Sequence, residues 1–342
     1  MMNPIVSICI ANYNGQQVLV DCIASILVQQ GDISCEIIIH DDASTDGSLA
    51  LLSERYPIAR YPSITVLESR ENVGFCVSNN RMAKVARGDY LLLLNNDAAL
   101  APDALVTLLA AAQAQRPPGI LTLPQLDWDT GSLVDRGCLL DPFYNPLPNL
   151  DPLRGDVAMV IGACLWIPRS LWWELGGFPE WFESVAEDMY LCCRARLAGH
   201  PVQVTTHSHY RHRQGLSFGG NRVAGNRLST TYRRRRLSER NKTYVMVLCS
   251  PALRLWLTLP MHLLLLALEG ALLTVIKRDA RLWFEIYANV FKSLVAEGRG
   301  LWCRRSEIQA SRVLSVACHE KSMTRFPHKL RLLLRHGMPG IR

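Results

Sequence analysis

The sequence lacks the patterns that mark secreted, repetitive or disordered proteins. Its eleven cysteines are odd in number and form no Cys-x-x-Cys pair, so we expect reduced, mostly buried thiols and no disulfide framework. No basic segment with an apolar run and a cleavage signal opens the chain, so we expect no secretory peptide. Because repeats and low-complexity segments are absent and 49% of the residues are hydrophobic, we expect a globular protein with a sizeable core.

A long uncharged apolar run is also missing. Within residues 231–342, the longest stretch without Lys, Arg, Asp or Glu is Leu255–Leu268, which has 14 residues and contains Pro260 and His262. A membrane-spanning helix takes about 20 predominantly apolar residues. We therefore favour one or two amphipathic helices in the membrane interface, and a spanning or hairpin segment and a plain helical core remain the alternatives.

Acidic residues are scarce in the second part of the chain. Residues 1–200 carry 12 Lys+Arg against 23 Asp+Glu, whereas residues 201–342 carry 25 against 7. This asymmetry indicates an anionic partner for the basic part, which includes the run Arg233–Arg236. Aromatic residues are not interleaved with the arginines, so we expect an anionic membrane surface and no nucleic acid.

Apolar, β-rich runs alternate with helix-like stretches in the first part of the chain. Strands are predicted at Ile5–Ala11, Glu36–Asp42, Ser63–Glu68 and Tyr90–Leu94. Helices are predicted at about 16–30, from an N-cap within Ser44–Ser48 to about Arg55, from Phe75 to a C-cap at Gly88, and at about 186–198. The alternation predicts an α/β fold with a mostly parallel sheet flanked by helices. Residues 124–156 predict a long irregular insertion, because they are rich in Pro, Asp, Asn and Gly. We expect a first domain over 1–230 and a helical, basic region over 231–342.

Acidic residues follow two of the predicted strands. The run Asp89–Asp97 is apolar until it stops on Asn95, Asn96 and Asp97, and Asp41 and Asp42 end an earlier strand. Because parallel strands end at one edge of a sheet, these side chains converge where open α/β sheets bind ligands. Carboxylate and amide oxygens suit Mg²⁺ or Mn²⁺. Glu187 and Asp188 form a further acidic pair, at the start of a predicted helix that follows an aromatic loop.

The sequence resembles family 2 glycosyltransferases, the inverting, nucleotide-sugar-dependent enzymes of the GT-A fold. The similarity covers about residues 5–220. Within the family, the sequence most resembles a branch of bacterial rhamnosyltransferase-like enzymes of cell-surface polysaccharide synthesis. The matching segments occur in the family's order, at Ser7–Asn14, His40–Ser48, Asn72–Phe75 with Asn79–Arg81, Gly88–Asp97, Gly162–Leu165, Gly176–Glu180, Glu187–Arg194 and His212–Ser217.

The resemblance implies a role for each matching residue. Asp188 is implied as the catalytic base with Glu187 beside it, and Asp97 and His212 as contacts of Mn²⁺ or Mg²⁺. Acceptor contacts are implied for Trp181, Phe182 and Glu187. Donor-nucleotide contacts are implied for Ala11, Asn12, Tyr13, Asn14, Asp41, Asp42, Asn72, Gly74, Arg81, Asn95 and Asn96.

The implied activity is transfer of a sugar from a dTDP- or UDP-sugar to a hydroxyl of a lipid-linked glycan acceptor, at the cytoplasmic face of the inner membrane. Asn95 stands at the first position of the family's Asp-x-Asp motif, so Asp97 is the only carboxylate that this strand offers a metal. Two alternatives stay open. A sugar nucleotidyltransferase would need a basic residue in the first loop, which Asn12–Gly15 lacks. A non-catalytic, membrane-associated scaffold would bind nucleotide without turnover.

Overall fold

The computed structural model describes residues 4–214, 222–224, 227–336 and 340–341, and the chain divides into two units. The first unit comprises Met1–Cys138, Pro148–Ala195 and His200–Ser217, and the second comprises Leu139–Leu147, Arg196–Gly199 and Phe218–Arg342. The second unit thus takes two short segments that fall within our sequence-based first domain.

The elements are numbered in chain order. The strands are β1 Val6–Asn12, β2 Cys35–Asp41, β3 Ile64–Glu68, β4 Tyr90–Leu94, β5 Ala98–Leu100, β6 Ile120–Thr122, β7 Gln125–Asp127, β8 Leu133–Asp135, β9 Cys138–Leu140, β10 Pro146–Pro148, β11 Cys164–Pro168, β12 Val202–Val204, β13 Tyr210–His212, β14 Arg222–Ala224, β15 Arg227–Thr230 and β16 Gly340–Ile341. The helices are α1 Leu19–Leu27, α2 Ser48–Arg55, α3 Phe75–Val85, α4 Ala104–Ala114, α5 Arg169–Glu174, α6 Glu187–Leu197, α7 Tyr232–Cys249, α8 Ala252–Lys277, α9 Ala288–Ala310, α10 Val316–Glu320 and α11 His328–His336. A 3₁₀ turn covers Glu180–Phe182 and a π-helical segment covers Leu282–Tyr287.

A seven-stranded sheet forms the first unit's centre, in the order β12-β6-β11-β4-β1-β2-β3. The strands β3, β2, β1 and β4 run parallel, and β11 pairs with β4 in the antiparallel sense. The predicted α/β architecture is confirmed, and the four parallel strands lie within one residue of their predicted bounds. Their common direction brings Asn12, Asp41 and the segment after Leu94 to one edge of the sheet.

The central strands are buried on both faces. Ile8 and Ile10 of β1 pack in one cluster with Ile23 of α1, Leu108 of α4 and Trp166 of β11. The alternate residues of β1 and β4 are buried as well, which explains the continuous apolar runs in the sequence. All eleven cysteines lie in the described part of the chain, and each is a free thiol.

A second sheet has the strand order β5-β13-β7-β8. Its strand β5 closely follows β4 along the chain. Strand β13 pairs with β5 in the antiparallel sense and places His212 opposite Ala98, which directly follows Asp97. It also pairs with β7 in the parallel sense. Our prediction of an irregular insertion over 124–156 is therefore wrong in part, because the segment contributes β7 and β8 to this sheet, and its strands β9 and β10 form a separate two-stranded sheet. Three-residue strands are too short to show a period of two.

Gly88 is not the C-cap that we predicted. Helix α3 ends at Val85, and Ala86 already has an extended conformation. Gly88 instead permits a close approach, since a Cβ there would lie 2.6 Å from Ser7 N and 2.7 Å from the Val6 carbonyl carbon. Its N–H donates to Ser7 Oγ at 2.8 Å. The glycine thus lets the chain enter β4 directly against β1.

The second unit is mainly helical, and charged side chains are buried within it. Glu239 of α7 accepts from Lys242 Nζ and Lys329 Nζ, both at 2.7 Å, and lies 3.2 Å from Arg235. Burial raises the pKa of Glu239, but these three cations outweigh it and hold the pKa well below its usual range. Glu269 of α8 pairs with Arg235 and Lys329. The network connects α7, α8 and α11, with Glu239 and Lys242 buried at its centre and Glu269 and Lys329 partly exposed.

We expect Gly88→Ala to destabilise the protein by about 1–3 kcal/mol, because the new methyl group overlaps backbone atoms that cannot move independently of β1. Urea denaturation of the full chain measures the change. Gly298→Ala is the matched control, since a Cβ at this α9 position meets nothing within 4 Å. We expect the control to be neutral or to stabilise the protein by up to about 1 kcal/mol. Equal effects of the two substitutions would contradict the close approach.

Candidate active site

The ends of three parallel strands are joined by one side chain, that of Asn12. Its Nδ2 donates to Asp41 Oδ2 at 2.8 Å, and its Oδ1 accepts from Asn96 Nδ2 at 2.8 Å. All three residues are buried. A Cβ at Gly15 would lie 2.1 Å from Asn12 Oδ1, so only glycine leaves room for this arrangement. The amide therefore fixes the loops that follow β1, β2 and β4 relative to one another.

The two acids at the end of β2 are already engaged within the protein. Asp41 also accepts from Ser44 N at 2.9 Å and from Ser44 Oγ at 2.8 Å. Asp42 accepts from Val73 N at 2.8 Å and from Gly74 N at 2.9 Å. Both carboxylates hold the loops of the predicted nucleotide site in place. Direct contact with a base or ribose stays a prediction.

The loops after β1 and β2 are linked through Asn14. Its N–H donates to Ser44 Oγ at 2.9 Å, and its Oδ1 accepts from Thr45 N at 2.7 Å. Ala11 is half-buried at the end of β1. Tyr13 is 45% exposed between them, which leaves its ring accessible to a ligand. Of the sequence-predicted residues 11–14, Tyr13 and Asn14 are exposed and Asn12 is buried beneath them.

Asn72 lies in the loop before α3, and Arg81 lies within α3. Arg81 extends from α3 to Ser69 Oγ, at 3.1 Å, and to His40 Nε2, at 3.4 Å. Asn72 is exposed and donates to the Asp42 carbonyl at 3.3 Å. Their positions beyond β2 and β3 are compatible with the nucleotide end of a donor.

Asp97 and His212 come together across 115 residues of sequence. His212 Nε2 lies 3.0 Å from Asp97 Oδ1 and 3.5 Å from Asn95 Nδ2. Asp97 is 2% exposed and His212 8% exposed. Among the described residues, Asp97 Oδ2 and His212 Nδ1 are buried atoms that no hydrogen-bond partner satisfies. The rest of this matching segment, Gly215–Ser217, lies outside the described residues.

The chemistry of these atoms fits a divalent cation supplied with its substrate. An unsatisfied carboxylate oxygen is a suitable ligand for Mn²⁺ or Mg²⁺. Within ranges 4–214, 222–224, 227–336 and 340–341, however, no three His, Cys, Asp or Glu side chains group as a metal site. Asp97 and His212 therefore suit an ion that takes its other ligands from a diphosphate and water.

The turn Gly162–Ala163 connects Asp188 to the same strand end. Asp188 Oδ2 accepts from Gly162 N at 3.0 Å, and the next carbonyl, that of Ala163, accepts from Asn95 N at 3.0 Å. Asp188 Oδ1 accepts from Met189 N at 2.7 Å. Asp188 is half-buried, whereas Glu187 beside it is buried. Of the two predicted acids, Asp188 is the more accessible.

The loop that leads into α6 has an unusual backbone conformation. Glu183, Val185 and Ala186 have φ values of 66°, 71° and 67°, in the left-handed region that non-glycine residues disfavour. The Glu183 carbonyl accepts from Cys76 N at 3.3 Å, which connects the loop to the start of α3. Local strain of this kind is typical of functional sites, and here it directly precedes Glu187 and Asp188.

Trp181 and Phe182, which we predicted as acceptor contacts, differ in their exposure. The rings meet edge to face with centroids 4.6 Å apart, and Phe182 lies 5.6 Å from the ring of Tyr190. Phe182 is fully buried, so its ring cannot face an acceptor in this structure. Trp181 is half-buried, and its contact with an acceptor stays a prediction.

Residues 7–176 match the model of the family described as glycosyl transferase family 2. This segment of the chain belongs to the family. The glycosyltransferase is 31% identical over 191 residues to chondroitin synthase of Escherichia coli, a match that covers 55% of this chain and 26% of that enzyme. It is 26% identical over 193 residues to N-acetylglucosaminyl-diphospho-decaprenol L-rhamnosyltransferase of Mycobacterium tuberculosis, covering 48% of this chain and 61% of that enzyme. The matches therefore span less than two thirds of these relatives.

Solved structures support the GT-A fold of the glycosyltransferase. GalNAc-T7 with UDP, GalNAc and Mn²⁺ aligns with a TM-score of 0.59 and 16% identity, over 72% of this chain and 48% of that chain. Staphylococcus aureus TarS 1–349 in complex with UDP aligns with a TM-score of 0.50 and 15% identity, over 90% of both chains. At these low sequence identities, the structural similarity shows the fold alone.

Sequence reasoning missed two features of this glycosyltransferase site. Arg213 stacks 3.7 Å over the ring of Trp128, pairs with Asp21 at 2.7 Å, and donates its N–H to the Asp97 carbonyl at 3.0 Å. Its position directly after His212 was the available signal. Asp135 of β8 is the second, since burial raises its pKa to about 7, against the lowering effects of the Gly137 N–H and His212. Nothing in the sequence indicates its burial.

We expect Asn12→Ala to destabilise the glycosyltransferase by about 2–4 kcal/mol, because it leaves a buried carboxylate short of one donor and the Asn96 amide without its acceptor. Urea denaturation measures the loss. Gln113→Ala removes an exposed amide from α4, and we expect this control to change stability by less than about 0.5 kcal/mol. If Asn12→Ala has no larger effect than the control, the amide does not hold the three strand ends.

Proposed function

We propose that this glycosyltransferase moves a sugar from a dTDP- or UDP-sugar to a hydroxyl of a glycan acceptor, with inversion of the anomeric centre. The observation that carries the proposal is the turn Gly162–Ala163. It holds the half-buried Asp188 carboxylate through one residue and the Asn95–Asp97 segment through the next. A proton acceptor and a diphosphate-binding strand end are thereby fixed to one short piece of backbone.

The proposed base is Asp188, and its environment supports that role. Each of its oxygens accepts a backbone N–H, from Gly162 and from Met189, and these bonds orient the carboxylate. Its position in the first turn of α6 favours the ionised form. Asp188 takes the proton from the acceptor hydroxyl as that oxygen attacks the anomeric carbon. Attack from the side opposite the departing diphosphate inverts the centre in a single displacement.

Asp97 and His212 are the residues that would hold a divalent cation. Such an ion, when bound, stabilises the negative charge that develops on the departing diphosphate. The crystallised neighbour with Mn²⁺ and UDP supports metal dependence for this fold. Asn95 and Asn96 hold the end of β4 in place. Asn96 joins it to the Asn12 side chain, and the Asn95 N–H joins it to the Ala163 carbonyl.

The proposed acceptor is a lipid-linked glycan in cell-surface polysaccharide synthesis, reached at the cytoplasmic face of the membrane. One relative is named for transfer to a diphospho-decaprenol-linked sugar. Another is named poly(ribitol-phosphate) beta-glucosyltransferase of Bacillus spizizenii and is 26% identical over 208 residues, covering 60% of this chain and 31% of that enzyme. A polyprenyl chain keeps such an acceptor in the membrane, and a peripheral enzyme reaches its glycan at the membrane surface.

We expect Asp188→Asn to lower kcat by about 10²–10⁴-fold, because an amide cannot accept the acceptor's proton. Affinity for the nucleoside diphosphate should not change. The assay follows diphosphate release from dTDP-rhamnose or UDP-sugars with polyprenyl-diphospho-N-acetylglucosamine as acceptor. Asp89→Asn, an exposed change on the same unit, is the control. Full activity of Asp188→Asn would refute the base assignment. Nucleotide binding by the unmodified enzyme without any transfer would favour the scaffold.

The metal assignment predicts a nucleotide-dependent effect of Mn²⁺ on thermal stability. We expect dTDP or UDP with Mn²⁺ to raise the melting temperature above that with either alone, since ligands of the native state stabilise it. Asp97→Asn should remove the Mn²⁺-dependent part, and His212→Ala should reduce it. His207→Ala, at an exposed neighbouring histidine, should keep it. A full Mn²⁺ effect in Asp97→Asn would place the ion elsewhere.

A further inference from the structure

Helix α8 in the second unit carries a continuous apolar stripe on its outer side. Its exposed residues recur at intervals of three and four, which places them along one side of the helix. We define the α8 apolar face by Leu257, Met261, Leu264, Leu268, Leu272 and Val275, each at least half exposed. Apolar residues in a contiguous patch of this length are unfavourable in water and mark a binding surface.

The opposite side of α8 is held by polar contacts within the second unit. His262 Nε2 lies 2.9 Å from Thr243 Oγ1 of α7. Glu269 pairs with Arg235 and Lys329 and accepts from Tyr287 Oη at 3.2 Å. A Cβ at Gly270 would lie 2.5 Å from the Tyr287 ring, so α8 and the π-helical segment are in close contact. The helix is therefore anchored along its middle.

These contacts oppose a membrane-spanning orientation. Helix α8 has 26 residues and contains an 18-residue window with a mean hydropathy of 2.0, so its length and composition alone would allow it to cross a bilayer. At a rise of 1.5 Å per residue it is roughly 39 Å long, longer than a hydrocarbon core of about 30 Å. Spanning would bring Glu269 and its partners Arg235 and Lys329 into the hydrocarbon, or would break a buried ion network. A helix that lies in the plane of the interface keeps both the network and the exposed apolar stripe.

The residues around the α8 apolar face fit an anionic lipid surface. Trp256 of α8 and Trp302 of α9 stack with ring centroids 6.1 Å apart, and both are exposed. Tryptophan is the residue type that membrane interfaces favour, because its ring is apolar and its N–H stays hydrated. Between residues 277 and 304, six exposed residues are Lys or Arg and two are Glu. The excess of positive charge complements phospholipid head groups.

We infer that the α8 apolar face, with Trp256 and Trp302, inserts into the cytoplasmic-side interface of an anionic phospholipid membrane, with α8 parallel to the bilayer plane. This inference rests on the proposed function, since it identifies the surface through which the enzyme reaches a lipid-linked acceptor. It also decides between the alternatives that the sequence left open for this segment: α8 lies on the membrane and does not cross it. Insertion removes the exposed leucine and methionine side chains from water, and the basic residues meet the head groups.

The test is binding of the full chain to phosphatidylcholine vesicles with and without phosphatidylglycerol, measured by flotation. We expect binding to the anionic vesicles, and about a hundredfold weaker binding for Leu264→Asp/Leu268→Asp, because two apolar anchors become charged. Leu153→Asp, which changes an exposed leucine of the first unit, is the matched control and should bind within about twofold of the unmodified protein. Circular dichroism checks that the variants keep their helix content.

Three results would overturn the inference. The first is no binding of the unmodified protein to anionic vesicles. The second is bound protein that resists extraction with alkaline carbonate, which would show a spanning helix. The third is a change from dimer to monomer in Leu264→Asp/Leu268→Asp with vesicle binding intact, which would show that the face pairs two copies of the chain. Since binding is measured without donor or acceptor, a protein that binds vesicles but transfers no sugar would count against the proposed function alone.

Discussion

The active site of this protein depends on one buried carboxamide, that of Asn12. Its two polar atoms are both used, one toward Asp41 and one toward Asn96, so the ends of three parallel strands share a single rigid connection. Because these groups are buried, losing one bond would leave a partner unsatisfied in a medium of low dielectric constant. The side chains that a nucleotide would meet are placed by this interior bond.

Two carboxylates of the site have environments that suit different work. Asp97 is buried and keeps one oxygen unsatisfied beside His212, which favours contact with a cation. Asp188 is half-buried and oriented by two backbone N–H groups, which favours proton transfer with an incoming hydroxyl. The turn at Gly162 holds the second carboxylate near the strand end that carries the first. In the proposed function, this arrangement serves charge stabilisation at Asp97 and proton transfer at Asp188.

The sequence predicted those parts of the site that follow from local pattern. Strand β4 has its predicted bounds and helix α2 ends at Arg55 as predicted. The acids after β2 and β4 converge because parallel strands end at one edge. The pairing of β13 with β5 could not be predicted from the sequence. Three-residue strands are too short to show an alternating pattern, and the paired residues Leu100 and Tyr210 are 110 positions apart. The full burial of Phe182 and the close approach that requires Gly88 could not be predicted either, because each depends on tertiary neighbours. The family resemblance supplied His212 where the residue pattern alone did not.

Helix α8 reverses the usual distribution of polar and apolar residues. Its charged residue Glu269 points to partners inside the second unit, while leucines occupy the solvent side. In water this arrangement has two unfavourable free-energy terms, the desolvation of ions and the exposure of apolar area. Different surroundings reduce each term. The buried ions are neutralised within the helical unit, and the apolar side is stabilised only when a nonpolar phase covers it. A helix that crossed the bilayer would relieve the second cost and aggravate the first. The orientation that relieves both lies at the boundary between the phases, with Glu269 on the protein side and the leucines on the lipid side.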